Sequence, residues 1–310
     1  MKPEILQIEP LMAQFQARLE AAYTVHPLAA VRDDLAKVAP AVRAVVTGGG
    51  SGIANAVMDA LPALEIVAVN GVGLDAVDLE HARARGVHVT YTPDVLTDDV
   101  ADMAIALLLA TARQLCVGDR FVRDGRWGHD ASLPLARKAS GKRLGIVGLG
   151  RIGRAIAHRG VAFGMDVAYT DLRTIEGMAY PFVANLVDLA KRSDFLVVSA
   201  SGGPRSKGVV NAEVLDALGP EGILVNVARG SVVDEPALVA ALTSGRLGGA
   251  GLDVFAHEPS VPEALRHMDN VVLQPHRASA TVETRLGMGE LVLANLAAHF
   301  AGEPLVTPVV

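Results

Sequence analysis

Residues 142–173, the most informative segment of the chain, read KRLGIVGLGRIGRAIAHRGVAFGMDVAYTDLR. The apolar run Arg143–Val147 predicts a strand, the motif G-x-G-x-x-G follows it, and helical spacing continues to Phe163. A second strand is predicted over Asp166–Thr170 and leads into Asp171, which lies 18 residues after the last glycine of the motif. A strand before the motif, a helix after it and an acid at this distance are typical of a dinucleotide-binding turn.

The three glycines of the motif, Gly148, Gly150 and Gly153, have separate physical roles. Gly148 permits the tight turn, Gly150 lets a pyrophosphate approach the backbone, and Gly153 lets the helix pack closely on the strand. The N-terminus of the helix faces the phosphates, because its N–H groups and its dipole favour an anion. We therefore expect a bound dinucleotide.

The acid after the second strand bears on the choice of cofactor. Asp171 can accept hydrogen bonds from both hydroxyls of the adenosine ribose of NAD, and it repels the extra phosphate of NADP. Arg173, two residues further on, can offset part of that repulsion. We expect NAD to be favoured slightly, with NADP as the alternative.

Composition limits the class of protein. The chain has 310 residues, enough for two domains, and 51% of them are hydrophobic while 20% are charged. A net charge of −6 without a run of lysine or arginine argues against nucleic acid or an anionic membrane as partner. No histidine pair has the spacing of zinc ligands, so no metal site is predicted.

Cellular location is predicted from three further features. The single cysteine, Cys116, lies in an apolar segment, so we expect a buried thiol and no disulfide framework. The first ten residues lack the apolar core of a signal peptide. Charges at Asp102 and Arg113 interrupt the longest apolar stretch, which leaves too few residues to span a bilayer. We expect a soluble, cytoplasmic protein.

The first 95 residues alternate between predicted strands and helices, which is the pattern of a small flavodoxin-like α/β domain. A helix is predicted over Leu11–Ala22, and strands over Glu4–Ile8, Ala41–Val46, Glu65–Asn70 and Val87–Tyr91. A second glycine cluster, GGGSG at 48–52, lacks the Walker lysine and an acid at the required distance. We interpret it as a permissive turn between a strand and a helix.

The rest of the chain predicts a doubly wound Rossmann domain. A helix over Thr97–Arg113, with Thr97 as its N-cap, leads into it. Six nearly all-apolar strands follow, as expected of parallel strands buried on both faces: Arg143–Val147, Asp166–Thr170, Phe195–Ala200, Gly222–Val227, Gly249–Val254 and Val271–Gln274. The last predicted helix, Thr281–Phe300, would return to the first domain. We therefore predict a discontinuous substrate domain, 1–97 and 284–310, and a dinucleotide-binding domain, 98–283.

Three ionisable residues follow predicted strands of the second domain directly: Arg229, Glu258 and His276. Ligands of open α/β sheets bind outside the carboxyl ends of the strands, so the three residues and the glycine turn should share one edge. Arg229 can hold a carboxylate or keto oxygen through charge-assisted hydrogen bonds. His276 can protonate a carbonyl oxygen as hydride arrives, and Glu258 can raise the pKa of the imidazole and fix its tautomer.

This chemistry fits hydride transfer between a nicotinamide and a 2-keto or 2-hydroxy acid. In the alternative interpretation, Arg229 and Glu258 merely pair with each other at the edge of a loop.

Seven segments, which together span nearly the whole chain, carry a family resemblance: NGVGLDAVDL (70–79), TPDVLTDDVAD (92–102), GRW (125–127), GLGRIGRA (148–155), LGPEGILVNVARGSVVDE (218–235), AGLDVFAHEP (250–259) and PHRASATVETR (275–285). In these segments the chain resembles the D-isomer-specific 2-hydroxyacid dehydrogenases, and most closely their bacterial glyoxylate/hydroxypyruvate reductase branch. The resemblance implies that Arg229, Glu258 and His276 are the catalytic residues. It also implies a homodimer built through the nucleotide domains.

The resemblance extends to binding residues. It implies that the backbone amides of Val72 and Gly73 bind the substrate carboxylate, and that Arg229 also contacts the substrate. The cofactor contacts that it implies are Arg151 and Ile152 at the pyrophosphate, Thr97 near the cofactor, and Ala228 and Asp253 beside the nicotinamide.

The chain departs from the family pattern after the catalytic histidine. The family usually has a bulky residue and then glycine there, whereas this chain has Arg277 and Ala278. Ala278 narrows a turn beside the nicotinamide. Arg277 places a second cation next to His276 and is expected to depress its pKa unless the side chain points away.

The expected activity is NAD(P)H-dependent reduction of a small 2-keto acid, glyoxylate or hydroxypyruvate, to a D-2-hydroxy acid. Two alternatives stay open. The substrate is a larger 2-keto acid such as 2-ketogluconate, or the chain is a non-catalytic NAD-sensing binding protein on the same scaffold.

Overall fold

The computed structural model describes residues 2–129 and 132–310, and it divides into two compact units. The first unit contains the described residues up to Leu96 together with Ala280–Val310, and the second contains Thr97–Ser279. Each unit is built on one parallel β-sheet with alternating helices.

Eleven strands are formed by the described residues. In chain order they are β1 Glu4–Gln7, β2 Thr24–Pro27, β3 Val42–Gly48, β4 Ile66–Asn70, β5 His88–Thr90, β6 Arg143–Val147, β7 Asp166–Thr170, β8 Phe195–Val198, β9 Ile223–Asn226, β10 Gly249–Leu252 and β11 Val271–Leu273.

Thirteen α-helices accompany the strands within the described ranges. In chain order they are α1 Ala13–Ala22, α2 Leu28–Val31, α3 Leu35–Val38, α4 Asn55–Asp59, α5 Leu79–Ala84, α6 Thr97–Ala112, α7 Leu115–Arg123, α8 Arg151–Ala162, α9 Leu186–Lys191, α10 Ala212–Leu218, α11 Glu235–Thr243, α12 Glu263–Arg266 and α13 Val282–Ala301.

The sheet of the first unit has the order β2-β1-β3-β4-β5, and all neighbouring strands are parallel. This order is flavodoxin-like, which confirms the predicted class of the domain, although β2 was not predicted. Alternate residues of a strand point to opposite faces, and here both faces are apolar. In β4, for example, Val67 packs in one core, and Ile66 packs in the other with Phe15 of α1 and Val292 of α13.

The sheet of the second unit has the order β11-β10-β9-β8-β6-β7, again entirely parallel. β7 lies on one side of β6, and the other four strands lie on its other side. The predicted doubly wound fold is therefore confirmed. The direction of winding reverses at β6, and ligands of such sheets bind outside the carboxyl ends at this reversal. The glycine motif that follows β6 is thus at the expected place in the fold.

Three local expectations were wrong or incomplete. Cys116 is exposed rather than buried, because it lies on α7, where Phe121 is the buried residue among those described. α6 begins at Thr97 itself, so Thr97 is in the first turn rather than at the capping position before it. The edge strand β2 was missed because it is short, half exposed and ends in Pro27.

Among the described residues no single helix is long and apolar enough to cross a bilayer. α6 and α7 pass that test only as a pair, and they are bent by 61° at the break between them.

Candidate active site

The turn after β6 is tightly packed at two of its glycines and open at the third. Gly148 has φ +89°, and a Cβ there would lie 2.6 Å from the Cα of Ala200. A Cβ on Gly153 would lie 2.2 Å from the carbonyl oxygen of Gly148. A Cβ on Gly150, in contrast, would meet no described atom within 4 Å. The turn therefore leaves space in front of Gly150, where the diphosphate of a ligand can approach the backbone.

Helix α8 begins directly after this space. The residue at its N-cap is Gly150, and no side chain among those described caps the helix. The first-turn N–H groups of a helix point out of its N-terminus, and the helix dipole adds partial positive charge there. The first turn, which contains Arg151 and Ile152, is therefore suited to an anion such as a diphosphate.

Asp171 is bound to the glycine turn. Its Oδ2 accepts a hydrogen bond of 2.8 Å from the N–H of Leu149, and its Oδ1 accepts one of 2.7 Å from the N–H of Leu172. Each carboxylate oxygen has two acceptor sites, so both can accept a further hydroxyl donor. Arg173 is exposed. The structure thus places the predicted ribose acid beside the predicted diphosphate turn.

His276 and Glu258 form an ion pair at the same edge of the sheet, after β11 and β10. The Nδ1 of His276 lies 2.6 Å from the Oε2 of Glu258, and the other carboxylate oxygen accepts a 3.0 Å hydrogen bond from the N–H of Phe255. Because the carboxylate accepts from Nδ1–H, the tautomer is set, and Nε2 is the nitrogen left to exchange a proton with a substrate.

The electrostatic surroundings favour the charged forms of both groups. The hydrogen bond from His276 to Glu258 raises the pKa of His276 above its usual range, while burial and the positive charge of Arg229 oppose the shift. Burial disfavours the charged form of Glu258, but the hydrogen bonds from His276 and Phe255 outweigh it and lower the pKa of that carboxyl. The imidazole is therefore held as a proton donor over a wider pH range than a free histidine.

Asp253 organises the loop that carries His276. The N–H of His276 donates to the carbonyl oxygen of Asp253 at 2.8 Å, and the N–H groups of Arg277 and Ala278 donate to its two carboxylate oxygens at 2.8 and 2.9 Å. His276 has φ +48°, a left-handed conformation that is uncommon outside glycine. Burial raises the pKa of Asp253, and the two N–H donors oppose that shift. Asp253 thus holds the histidine in an otherwise unfavourable backbone conformation.

This positioning role of Asp253 was not predicted from the sequence. An acid directly after an apolar strand was the available signal, but its partners are more than 20 residues away along the chain. The pKa of His276 is shifted upward, and Arg277 is not among the causes of that shift. Arg277 is exposed, and its backbone N–H serves Asp253.

Arg229 follows β9 in a loop held by a buried amide. The side chain of Asn226 donates to the carbonyl oxygen of Arg229 at 3.0 Å and accepts from the N–H of Ala228 at 3.1 Å. A Cβ on Gly230 would lie 1.9 Å from the carbonyl carbon of Phe255, so the loops after β9 and β10 touch through their main chains. This contact brings Arg229 close enough to Glu258 for its charge to lower the pKa of that carboxyl.

The second unit therefore contains two clusters of predicted site residues. One is the glycine turn at 148–153 with Asp171. The other consists of Arg229, Glu258 and His276 together with Asp253 and Ala278. Val72 and Gly73 belong to the first unit, in the loop after β4. The N–H of Thr92 donates to the carbonyl oxygen of Gly71 at 2.9 Å and ties that loop to the segment after β5.

Comparison with known proteins agrees with this architecture. The family model described as D-isomer specific 2-hydroxyacid dehydrogenase, NAD binding domain, matches residues 105–278. The 2-ketogluconate reductase of Gluconobacter oxydans (strain 621H) is 49% identical over 309 residues, covering 100% of this chain and 99% of the relative. The hydroxyphenylpyruvate reductase of Plectranthus scutellarioides is 53% identical over 281 residues, covering 91% of this chain and 90% of the relative.

A solved structure is similar over the same length. The crystal structure of the NADPH-dependent glyoxylate/hydroxypyruvate reductase from Sinorhizobium meliloti, in complex with NADP and malonate, superposes with a TM-score of 0.93 at 44% identity. The match covers 100% of this chain and 97% of that one.

Proposed function

Because the chain belongs to the D-isomer-specific 2-hydroxyacid dehydrogenase family, we propose that it reduces small 2-keto acids, glyoxylate and hydroxypyruvate, to D-2-hydroxy acids. The enzyme is an NAD(P)-dependent oxidoreductase. The observation that carries the proposal is the 2.6 Å pair of His276 and Glu258 at the same edge of the sheet as the glycine turn. A proton donor and a dinucleotide-binding turn at one sheet edge are the parts that carbonyl reduction requires.

The chain's residues fit the cofactor. The space in front of Gly150 and the first turn of α8 suit a diphosphate, and Asp171 beside them suits a ribose. When bound, the nicotinamide supplies the hydride. The residues proposed to hold the cofactor are Thr97, Gly148, Gly150, Arg151, Ile152, Gly153, Asp171, Arg173, Ala228, Asp253 and Ala278.

The proposed mechanism gives separate roles to Arg229, Glu258 and His276. His276 donates a proton from Nε2 to the carbonyl oxygen of the substrate, and it takes the proton back in the oxidation direction. Glu258 stabilises the imidazolium through Nδ1. Arg229 binds the carboxylate or keto oxygen, and the amides of Val72 and Gly73 bind the carboxylate.

For the cofactor we propose a preference for NADH. The fixed carboxylate of Asp171 supports it, because a 2′-phosphate beside this group is repelled. Arg173 and the NADPH dependence named for the Sinorhizobium meliloti relative support the alternative.

We also propose a homodimer and a cytoplasmic location. Large apolar side chains are exposed on α7 and the segment that follows it: Leu115, Val122, Trp127 and Leu135. Exposed apolar residues of this kind are a common mark of an interface. The free thiol of Cys116 agrees with a reducing compartment. Sedimentation equilibrium of the wild type and of Trp127→Ser tests the dimer, which the variant is expected to weaken.

The experiment for the proposed activity is a panel of 2-keto acids measured as kcat/KM with NADH and with NADPH. Glyoxylate and hydroxypyruvate are expected to be the best substrates. A clear preference for 2-ketogluconate would instead assign the chain to a larger substrate, as in its Gluconobacter oxydans relative. Binding of NADH without turnover of any keto acid would favour a non-catalytic NAD-sensing protein.

A further inference from the structure

The glycine cluster at 48–52 is called the glycine loop below. Its main chain packs against the main chain of the loop after β4. A Cβ on Gly71 would lie 3.0 Å from the Cα of Gly49 and 3.1 Å from its nitrogen. In the other direction, a Cβ on Gly49 would lie 3.2 Å from the carbonyl oxygen of Gly73 and 3.4 Å from its nitrogen. The two loops therefore touch where neither has a side chain.

Hydrogen bonds fix each of the two loops separately. The carbonyl oxygen of Gly71 accepts from the N–H of Thr92 at 2.9 Å, which fixes the loop after β4. The glycine loop is closed by the N–H of Gly52, which donates to the carbonyl oxygen of Gly48 at 3.0 Å, and by the Thr47 hydroxyl, which donates to the carbonyl oxygen of Gly52 at 2.5 Å. Because both loops are bonded in this way, an added atom at the contact shifts the main chain rather than a mobile side chain.

We propose that Gly49 is a positioning residue for substrate binding: by having no side chain, it sets the place of the Gly73 peptide group. The inference rests on the proposed function, in which the amides of Val72 and Gly73 bind the carboxylate of a 2-keto acid. A methyl group at position 49 lies 3.2 Å from the oxygen of Gly73, so close that a neighbour must shift by a few tenths of an ångström, and it also contacts the nitrogen of Gly73 at 3.4 Å. The shifted amide no longer lies at the place that the carboxylate requires.

The expected effect is confined to substrate affinity. A carboxylate contact is the same in the ground state and in the transition state, so its loss raises KM and leaves kcat near the wild-type value. A shift of a few tenths of an ångström weakens the amide hydrogen bond to the carboxylate without removing it, so KM should rise several-fold. The affinity for NADH should not change, because Gly49 lies in the first unit and the proposed cofactor turn lies in the second.

The chain supplies a matched control at the next residue. Gly50→Ala adds the same methyl group to the same loop, but its Cβ would meet no described atom within 4 Å. Neither Gly49 nor Gly50 has a positive φ, so alanine is allowed at both positions. A difference between the two variants therefore reports the contact with Gly73 rather than the loss of a glycine.

The test measures KM and kcat with hydroxypyruvate, the inhibition constant of oxalate, the Kd of NADH and the Tm, for wild type, Gly49→Ala and Gly50→Ala. Gly49→Ala is expected to raise KM and the oxalate constant several-fold, with kcat, the NADH affinity and all Gly50→Ala values near wild type. If Gly49→Ala does not fold, Gly71→Ala is the substitute, because its methyl group would meet the main chain of Gly49 at the same contact between the loops. It should likewise raise KM and the oxalate constant and leave kcat and the NADH affinity near wild type.

A change in KM of less than about twofold in Gly49→Ala, or an equal change in Gly50→Ala, overturns the positioning role while the proposed function stands. Failure of the proposed function is recognised separately, because the wild type would then reduce none of the keto acids.

Discussion

Replacing Glu258 by glutamine tests the coupling between the carboxylate and the imidazole. Glu258→Gln keeps the shape of the side chain and an oxygen that can accept from Nδ1 of His276, but it removes the negative charge 2.6 Å away. The fold should be retained because the two side chains have the same size, but the single amide oxygen can accept from Nδ1–H of His276 or from the N–H of Phe255 and not from both. The expected change is a lower pKa of His276, since the hydrogen bond to Glu258 is the largest cause of its upward shift.

The size of the effect follows from the geometry. Two charges about 4 Å apart interact by about 1 kcal/mol at the dielectric of water and by about 4 kcal/mol at an effective dielectric of 20. The side chains of His276 and Glu258 are 42% and 33% exposed, which places the pair towards the lower end of that range. The loss of this interaction weakens proton binding to the imidazole and so lowers the pKa of His276.

In the proposed mechanism reduction needs the protonated imidazole, and kcat/KM is therefore expected to fall as pH rises through the pKa of His276. In Glu258→Gln this fall begins at lower pH, so kcat/KM at alkaline pH should be several-fold below wild type and should approach it at acid pH. In the oxidation direction the neutral imidazole is required, and activity should instead appear at lower pH than in wild type.

The assay is the pH profile of kcat/KM for hydroxypyruvate in both enzymes. Glu235→Gln is the control, because Glu235 accepts a 3.0 Å hydrogen bond from the N–H of Ala256 in the same region and is not among the groups that shift His276. An alkaline limb of Glu258→Gln that superposes on wild type, or an equal displacement in Glu235→Gln, would refute the coupling.

Three further substitutions address the other proposed roles. His276→Ala should reduce kcat by about 100- to 10,000-fold with the NADH affinity unchanged, and retention of more than about a tenth of kcat would exclude it as the acid. Arg229→Lys should raise KM and lower kcat, because a point charge does not reproduce a bidentate contact, and undisturbed inhibition by oxalate would contradict this. Asp171→Asn should raise kcat/KM with NADPH relative to NADH, whereas a wild type that already favours NADPH by about tenfold would show that the carboxylate does not face the ribose.

Much of the fold could be predicted because its signals are local. Gly148 and Gly153 are packed as their places in the motif require, and β6 and β7 have the predicted bounds. The meeting of Arg229, Glu258 and His276 also followed from sequence, since parallel strands share one carboxyl edge. Their chemical roles stay predictions until the variants are measured.

Other features depend on contacts between distant residues. The left-handed conformation of His276 depends on Asp253, which is 23 residues earlier in the chain. The glycine loop looked like a permissive turn, and its contact with Gly71 is visible only once β3 and β4 are paired. Cys116 appeared buried because its neighbours are apolar, whereas α7 exposes that face.

The central claim is that this chain converts a 2-keto acid into a D-2-hydroxy acid at the expense of a reduced nicotinamide. The most direct measurement is the product of hydroxypyruvate reduction by the purified wild type, quantified against NADH consumed and resolved by chirality. We expect D-glycerate, formed mole for mole with oxidised cofactor. Formation of L-glycerate, or NADH binding without any glycerate, would contradict it.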